Sequence, residues 1–213
     1  MRSRILTLAL ACLLIAARAD GQGFEFGPRL AVSTPTSDFD NSADLGFDAG
    51  MTASWMYKPT SGFGVDVGYQ RWPGSTALNS VLDALWSFTG TPVTGTRVTF
   101  SAIQATMHVK AVAQVRGPVV PWIQVGAGIY RLTQEIDVPL AQMQAAGWEV
   151  RESDSKGGSN EFGYTGSAGL DFGTIGGMRL GLDASYHYLQ SNGDFGENLS
   201  ALTIGTHLLF GSR

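Results

Sequence analysis

Alternation of apolar and polar residues runs through most of this chain and predicts β-strands. In RLGLDASYHYL, residues 179–189, leucine, alanine and tyrosine occupy the even positions, while Arg179, Asp183 and His187 are among the odd ones. Side chains on a strand point alternately to opposite faces, so the pattern predicts a strand with one apolar and one polar face. Which of the two faces lines the interior then decides the class of protein.

Eight segments show this pattern, and each is long enough to cross a membrane as a tilted strand. They are residues 24–33, 45–57, 62–72, 97–113, 121–135, 161–173, 177–189 and 198–210. At the start of the fourth segment, the apolar residues Val98 and Phe100 are out of phase with the apolar positions further along, such as Ile103 and Ala105. This break predicts a β-bulge or a misplaced strand boundary.

The connections between the segments alternate in length. Those after the second, fourth and sixth segments are short and contain the glycine or proline of a tight turn, whereas the other four are longer. Short turns at one end and long loops at the other are typical of transmembrane barrels. We therefore predict an all-β fold, an eight-stranded antiparallel up-and-down transmembrane β-barrel, whose apolar face meets lipid and whose polar face lines the lumen.

The predicted lumen face is rich in charge. An eight-stranded barrel is filled by its own side chains, so these groups should satisfy one another in a hydrogen-bonded network. The polar members are Glu25, Arg29, Asp48, Asp66, Gln70, Gln104, His108, Lys110, Gln124, Asp171, Arg179, Asp183, His187 and His207. On the outer face, aromatic residues near the turn end suit the membrane interface. These are Tyr57, Phe63, Trp122, Phe172 and Phe210.

The turn between the sixth and seventh segments predicts one specific ion pair in this lumen. If residues 174–176 form a three-residue loop, Asp171 lies directly opposite Arg179 on the polar face. Two opposed side chains of opposite charge, shielded from bulk water, should then pair.

The first 19 residues have the features of a secretory signal peptide. Arg2 and Arg4 precede a short apolar run, and Ala17-Arg18-Ala19 matches a cleavage site; a lipoprotein signal using Cys12 is the alternative. We therefore divide the chain into a signal peptide, 1–19, and a barrel domain, 20–213. The exported part would hold 11 basic and 18 acidic residues and no cysteine, which argues against disulfides and against nucleic acid as a partner.

The last segment, LTIGTHLLF, alternates and ends in the aromatic Phe210. With the eight segments and their loops, it resembles the small outer-membrane β-barrel family of Gram-negative bacteria, the OmpA- and OmpX-like barrels. The resemblance implies a location in the outer membrane, contact with its lipid and lipopolysaccharide, and insertion by the barrel-insertion machinery. In the family the aromatic residue usually ends the chain, whereas three residues follow Phe210 here.

No motif for a bound cofactor or metal stands out in the sequence. There is no P-loop, HExxH motif or cysteine pair, and GAGIYR lies inside a strand, where its small residues favour packing. The acidic stretch SDFDNSAD, residues 37–44, has oxygen ligands for calcium, but a solvated external loop is the preferred interpretation. We expect no cofactor.

One stretch suggests an enzyme. YHYLQSNGDFGEN, residues 186–198, loosely resembles the His-x-Ser-Asn segment of PagL-type lipid A deacylases, which are also eight-stranded barrels. His187 and Ser191 would lie about 13 Å apart along a strand, beyond hydrogen-bond reach. A lumenal histidine followed by an Asn-Gly turn is the alternative.

Two long loops contain helical patterns. Residues 75–88 place four apolar side chains on one face with Ser75 as N-cap, and residues 137–146 offer Asp137 as cap, Pro139 in the first turn and Gly147 as stop. Packing over the barrel mouth or a site for an extracellular ligand are the two interpretations. The leading functional prediction is a structural or surface-interaction role, and a narrow pore for small solutes is the main alternative.

Overall fold

The structure is a computed structural model of the chain. It describes residues 23–88, 90, 93–115, 117–145, 147, 156–175, 177–190 and 198–211. The predicted signal peptide, 1–19, lies outside these residues.

The described chain forms one closed barrel in which every strand is antiparallel to the next and the last pairs with the first. This confirms the predicted fold class. The strands are β1 Gly23–Thr36, β2 Gly46–Lys58, β3 Ser61–Pro73, β4 Arg97–Val112, β5 Val119–Asp137, β6 Lys156–Ile175, β7 Met178–Gln190 and β8 Leu199–Gly211. Two helices, α1 Thr76–Phe88 and α2 Leu140–Ala145, and a 3₁₀ turn, Ser37–Asn41, lie in the long loops. No helix in the described residues is long and apolar enough to cross a membrane.

The strand register fixes the tilt of the barrel. Following directly opposed residues once around the barrel from Ser61 in β3 returns to β3 at Arg71, ten residues further along. For eight strands this stagger corresponds to a tilt of about 40° from the barrel axis. The interior of so narrow a barrel is just wide enough for its own side chains.

The polarity of the barrel is inverted relative to a soluble protein. Outward-facing Leu30, Met107 and Val125 are 64%, 71% and 65% exposed, while inward-facing Glu25 and Asp48 are each 1% exposed. Apolar side chains can face outward in this way when lipid surrounds the barrel. In residues 179–189 the apolar face therefore points outward and the polar face lines the lumen.

The predicted break at the start of β4 is wrong. β4 keeps one continuous register with β3 and with β5, and Val98 and Phe100 point inward in phase with Gln104. The inner face simply changes from polar to apolar toward the loops. Hydrophobicity therefore stops marking the outer face there.

The predicted register of the β6–β7 hairpin is also wrong, by two residues along β7. Asp171 lies opposite Gly181, and Arg179 is its diagonal neighbour. The turn closes on the Ile175–Met178 pair, and a register shift between Phe172 and Ile175 adds an extra residue. Gly173 in that bulge has a positive φ of 38°, which suits glycine.

An apolar cluster fills the loop end of the lumen, and we call it the mouth cluster. Phe39, from the 3₁₀ turn, inserts its ring edge-on against Trp72 and Phe100 at centroid distances of 5.3 and 5.4 Å. The acidic stretch 37–44 is therefore more than a solvated loop. The buried members are Phe39, Ala43, Trp72, Val98, Phe100, Ala102, Tyr130, Leu132, Leu189, Leu199 and Ala201.

The two helices lie in the loops at this end of the barrel. α1 begins as predicted, because the Ser75 hydroxyl accepts a hydrogen bond from the Leu78 amide, and Leu78 and Leu82 pack on the mouth cluster. α2 is shorter than the predicted 137–146, since Asp137 is still paired with Arg97 in the sheet. Gly147 follows α2 with a positive φ of 84°.

Candidate functional site

The charged and histidine residues predicted for the lumen all lie on inward-facing positions of the strands. Nine are buried, and Arg29 and Asp66 are half-buried. We call these residues and their hydrogen-bond partners the lumen network. The eleven are Glu25, Arg29, Asp48, Asp66, His108, Lys110, Asp171, Arg179, Asp183, His187 and His207.

Arg29, on β1, is the cationic centre of the part of the lumen network that lies nearer the loop end. Its Nη2 donates to Oδ2 of Asp48 at 2.8 Å, and its Nη1 donates to the Ser185 hydroxyl at 3.1 Å. The same Nη1 lies 3.8 Å from Oδ2 of Asp183. Gln70 donates a second hydrogen bond to Asp48 at 2.7 Å. One guanidinium therefore balances two carboxylates from different strands of the barrel.

His187 connects this part of the network to the mouth cluster. Its Nδ1 lies 3.1 Å from the hydroxyl of Tyr130, and its Nε2 lies 3.9 Å from Oδ2 of Asp48. Tyr130 is completely buried and belongs to the mouth cluster. The polar network therefore ends where the apolar packing begins.

Glu25 is the anionic centre near the turn end. Its Oε2 accepts a hydrogen bond from Nζ of Lys110 at 3.1 Å, and its Oε1 lies 2.6 Å from Nη2 of Arg179. Arg179 also approaches Asp171, with 3.9 Å between Nε and Oδ2. The predicted pair is thus brought together, but Glu25 is the closer partner of Arg179.

His207 bridges two carboxylates and so connects the group around Arg29 with the group around Glu25. Its Nδ1 is 2.8 Å from Oδ1 of Asp183, and its Nε2 is 2.9 Å from Oδ1 of Asp171. Because carboxylate oxygens only accept, both contacts are hydrogen bonds only when both ring nitrogens carry protons. A chain of charged contacts thus runs from Lys110 to Asp48.

A third histidine forms a separate branch. His108 Nδ1 lies 2.8 Å from Oδ2 of Asp66, and its Nε2 lies 2.9 Å from the Ser54 hydroxyl. Gln124 donates a further hydrogen bond to Asp66 at 2.7 Å. Each of the three histidines in the chain is therefore within 4 Å of a lumenal carboxylate.

Trp122 lies inside the barrel, so its predicted place in the outer aromatic girdle is wrong. It is 8% exposed, donates from Nε1 to Oδ1 of Asp171 at 2.8 Å, and has Nζ of Lys110 4.8 Å from its ring centroid. Trp122 shares the parity of Gln124, and that signal could have placed it correctly. With Met56 and Val112 it forms a second apolar cluster at the turn end.

Two further inward residues were missed, Tyr130 and Glu161. Glu161 is 3% exposed and lies directly opposite Tyr130. Continuing the odd-numbered phase of Asp171 back along β6 would have identified Glu161. Tyr130 shares the parity of Gln124 on β5, which is the same signal that could have placed Trp122.

The described lumen has little free space. Its central cavity measures about 30 Å³ and is lined by Arg29, Asp66, Lys110, Asp183 and His207, among others. This is room for one or two water molecules. Among the described residues, no group of three or more His, Cys, Asp and Glu side chains is arranged to hold a metal ion. The geometry suits mutual charge compensation.

The position of His187 bears on the deacylase hypothesis. This histidine is 1% exposed and points into the barrel, away from the surface that lipid would reach. Ser191, its suggested partner, lies outside the described residues. The described contacts of His187 are those of a lumen residue that lies against Tyr130 and Asp48.

Comparison with known proteins supports the fold. No family model and no curated protein matches the sequence. Among solved structures, the chain is similar to Neisserial surface protein A (TM-score 0.51, 14% identity, 90% of this chain and 97% of that one). It is also similar to OprG of Pseudomonas aeruginosa (0.51, 11%, 91% and 97%) and to a major outer membrane protein of Thermus thermophilus (0.53, 9%, 89% and 99%). The chain therefore has the fold of outer-membrane β-barrels.

Proposed function

We propose that the protein is an integral outer-membrane barrel that is closed to solutes and has a structural or surface-interaction role. The inverted polarity of the barrel and its likeness to outer-membrane structures support this location. The lumen network and the two apolar clusters support a closed interior. An enzymatic role has no comparable support among the described residues.

The observation that carries the proposal is the filling of the lumen from end to end. The mouth cluster closes the loop end, Met56, Val112 and Trp122 close the turn end, and paired charges occupy the space between them. A narrow pore would need a continuous path for water. The cavity of about 30 Å³ beside Arg29 and His207 has room for only one or two water molecules, which favours a closed lumen.

A surface role draws support from the loop cap. α1 packs one edge on the mouth cluster, yet Val81, Leu85 and Phe88 are 56%, 54% and 88% exposed. Exposed apolar side chains on a loop outside the membrane favour contact with an extracellular ligand or partner. Insertion by the barrel-insertion machinery remains an expectation from the sequence of β8, which ends in Phe210 and Gly211.

Conductance in planar lipid bilayers tests the closed lumen. The refolded protein should give no steady channels. Correct folding is checked on SDS gels, where the folded barrel should migrate faster unboiled than boiled. Reproducible channels whose conductance changes with Asp48→Asn or Lys110→Met would contradict the proposal and favour the pore.

Cysteine labelling tests the orientation at the cell surface. Ser87→Cys in α1 should react with a membrane-impermeant maleimide in intact cells. Pro59→Cys, in the short turn between β2 and β3, is the matched control and should react only after lysis. The opposite labelling pattern, or labelling of neither residue in intact cells, would contradict the proposed orientation.

A further inference from the structure

Arg71 lies at the loop-side edge of the apolar outer surface. It follows Phe63, Val65, Val67 and Tyr69 on the outward face of β3, which are 48%, 45%, 54% and 37% exposed. The eight residues from Phe63 to Arg71 rise about 20 Å along the barrel axis at the tilt derived above. Because the apolar band of such barrels is about 25 Å tall, Arg71 lies where lipid headgroups begin.

Arg131, on β5, reaches the same height. Arg71 is directly opposite Ser101, and Ser101 is directly opposite Thr133. Each of these steps across the tilted sheet climbs about 3 Å, while the two residues from Thr133 back to Arg131 descend about 5 Å. The two arginines therefore differ in height by only about 1 Å, and their Cα atoms lie about 12 Å apart on the same outer surface.

Neither arginine faces a carboxylate across the sheet. Both side chains are exposed and point outward. The residues directly opposite them in the described strands are Phe47, Ser101, Ile103 and Asn160. Two outward guanidinium groups, with a hydroxyl and an amide beside them, are thus left to interact with the surroundings.

Arg97 provides the contrast. It faces outward on β4, four residues from Ser101 in the direction of the loops, and so lies about 10 Å further along the barrel axis. It is directly opposite Asp137, so its charge has a neighbour of opposite sign. Position and pairing therefore set Arg71 and Arg131 apart from the general surface charge of the loops.

We propose that Arg71 and Arg131 bind the phosphate groups of lipid A, the bisphosphorylated glycolipid of the outer leaflet. Guanidinium groups recognise phosphate oxygens through paired charge-assisted hydrogen bonds. The apolar side chains below them, Tyr69, Ile103 and Ile129, would contact the acyl chains of the same molecule. The proposal rests on the outer-membrane location proposed above.

Native mass spectrometry of the folded barrel in detergent tests this site. The probe is purified bisphosphorylated lipid A, compared with enzymatically dephosphorylated lipid A, phosphatidylglycerol and inorganic phosphate. Binding of the bisphosphorylated form should weaken about tenfold in Arg71→Gln and in Arg131→Gln, and further in the double variant. Arg97→Gln, the matched control, should bind as the wild type does.

A fourth variant keeps both arginines. Ser101→Glu places a carboxylate between them and should weaken binding of lipid A as the arginine variants do, even if one of those fails to fold. Equal binding of the two forms of lipid A, an equal loss in Arg97→Gln, or equal affinity for phosphatidylglycerol or phosphate would overturn the proposal. A barrel that is folded and non-conducting but shows any of these results would contradict this site alone and leave the proposed function standing.

Discussion

The two halves of the lumen are filled by different chemistry. Toward the turns, Arg29 and Glu25 each lie within 4 Å of two side chains of opposite charge from different strands, and His207 bridges two carboxylates. Toward the loops, Phe39 and Trp72 pack in a cluster that resembles the core of a soluble protein. The barrel wall is the same in both halves, so the difference lies in what the inward positions carry.

This contrast teaches how a narrow barrel closes. In the polar half, every buried charge depends on a partner, because an unpaired ion in a low-dielectric interior is costly. In the apolar half, closure depends on shape, and one ring contributed by a loop completes the packing. The polar half should therefore be sensitive to charge balance and the mouth cluster to lost volume.

Of the changes considered, removing Arg29 from the polar half should lower the free energy of unfolding the most. Arg29→Met leaves Asp48 and Asp183 without their shared cation, so the free energy of unfolding should fall by about 3–5 kcal/mol. Urea unfolding in lipid vesicles, followed by tryptophan fluorescence, measures the change. Arg97→Met, an exposed outward arginine, is the control and should shift stability by no more than about 0.5 kcal/mol. Equal effects of the two variants would contradict the prediction.

Truncating Phe39 should break the mouth cluster. Phe39→Ala removes a buried ring between Trp72 and Phe100 and should cost about 3 kcal/mol through lost packing and the cavity left behind. The same urea titration measures it. Asp38→Ala changes the exposed neighbour in the same turn and should be nearly neutral. A loss confined to Asp38→Ala would count against this account of the mouth.

Removing the hydrogen bonds that connect two of the long loops should have a smaller effect. The side-chain amide of Gln142 accepts from the Thr94 backbone N–H at 3.0 Å and donates to the Thr94 carbonyl at 3.4 Å. Gln142→Ala should speed hydrogen exchange in residues 93–96 by up to about tenfold, the equivalent of about 1 kcal/mol. Exchange in the strands should stay unchanged, and faster exchange throughout the barrel would contradict a local role.

The smallest predicted effect is a pH response of the cap, by which we mean α1 and residues 93–96, which follow it in the loop. Hydrogen bonds from the backbone amides of Gly95 and Thr96 hold the pKa of Asp83 below its ordinary value of 3.8. The lowered pKa means that these contacts stabilise the cap above about pH 4 and are lost as the pH falls through the folded-state pKa. Amide exchange at Gly95 and Thr96, corrected for its intrinsic pH dependence, should rise below about pH 4 in the wild type and show no such step in Asp83→Asn.

The strands and faces of this fold could be predicted because alternation depends on backbone geometry alone. The alternation did not show which apolar side chains fill the two ends of the lumen. Val98 and Phe100 looked out of phase because the polarity of β4 reverses near the loops: its inner face is apolar there, while its outer face carries Arg97, Thr99 and Ser101. Trp122 suited the lipid interface by composition, although its parity with Gln124 pointed inward.

The contacts between strands were harder to predict than the strands. One extra residue at the Gly173 bulge moves Asp171 opposite Gly181 and leaves Arg179 closer to Glu25, a residue from the other end of the chain. This bulge lies at the end of β6, where only Ile175 remains paired beyond it, so the alternation along the strand does not reveal it. Partners across a lumen depend on register and closure together, and neither can be deduced from one segment.

Charge compensation in the lumen is the central claim, and the cluster of Glu25, Lys110 and Arg179 tests it most directly. The free energy of unfolding is measured by urea titration in lipid vesicles for Glu25→Leu and for the triple variant Glu25→Leu/Lys110→Met/Arg179→Met. The single variant leaves two buried cations without their shared carboxylate and should lose about 3–5 kcal/mol, whereas the triple variant should recover most of that loss. A triple variant that is less stable than the single one would contradict the account.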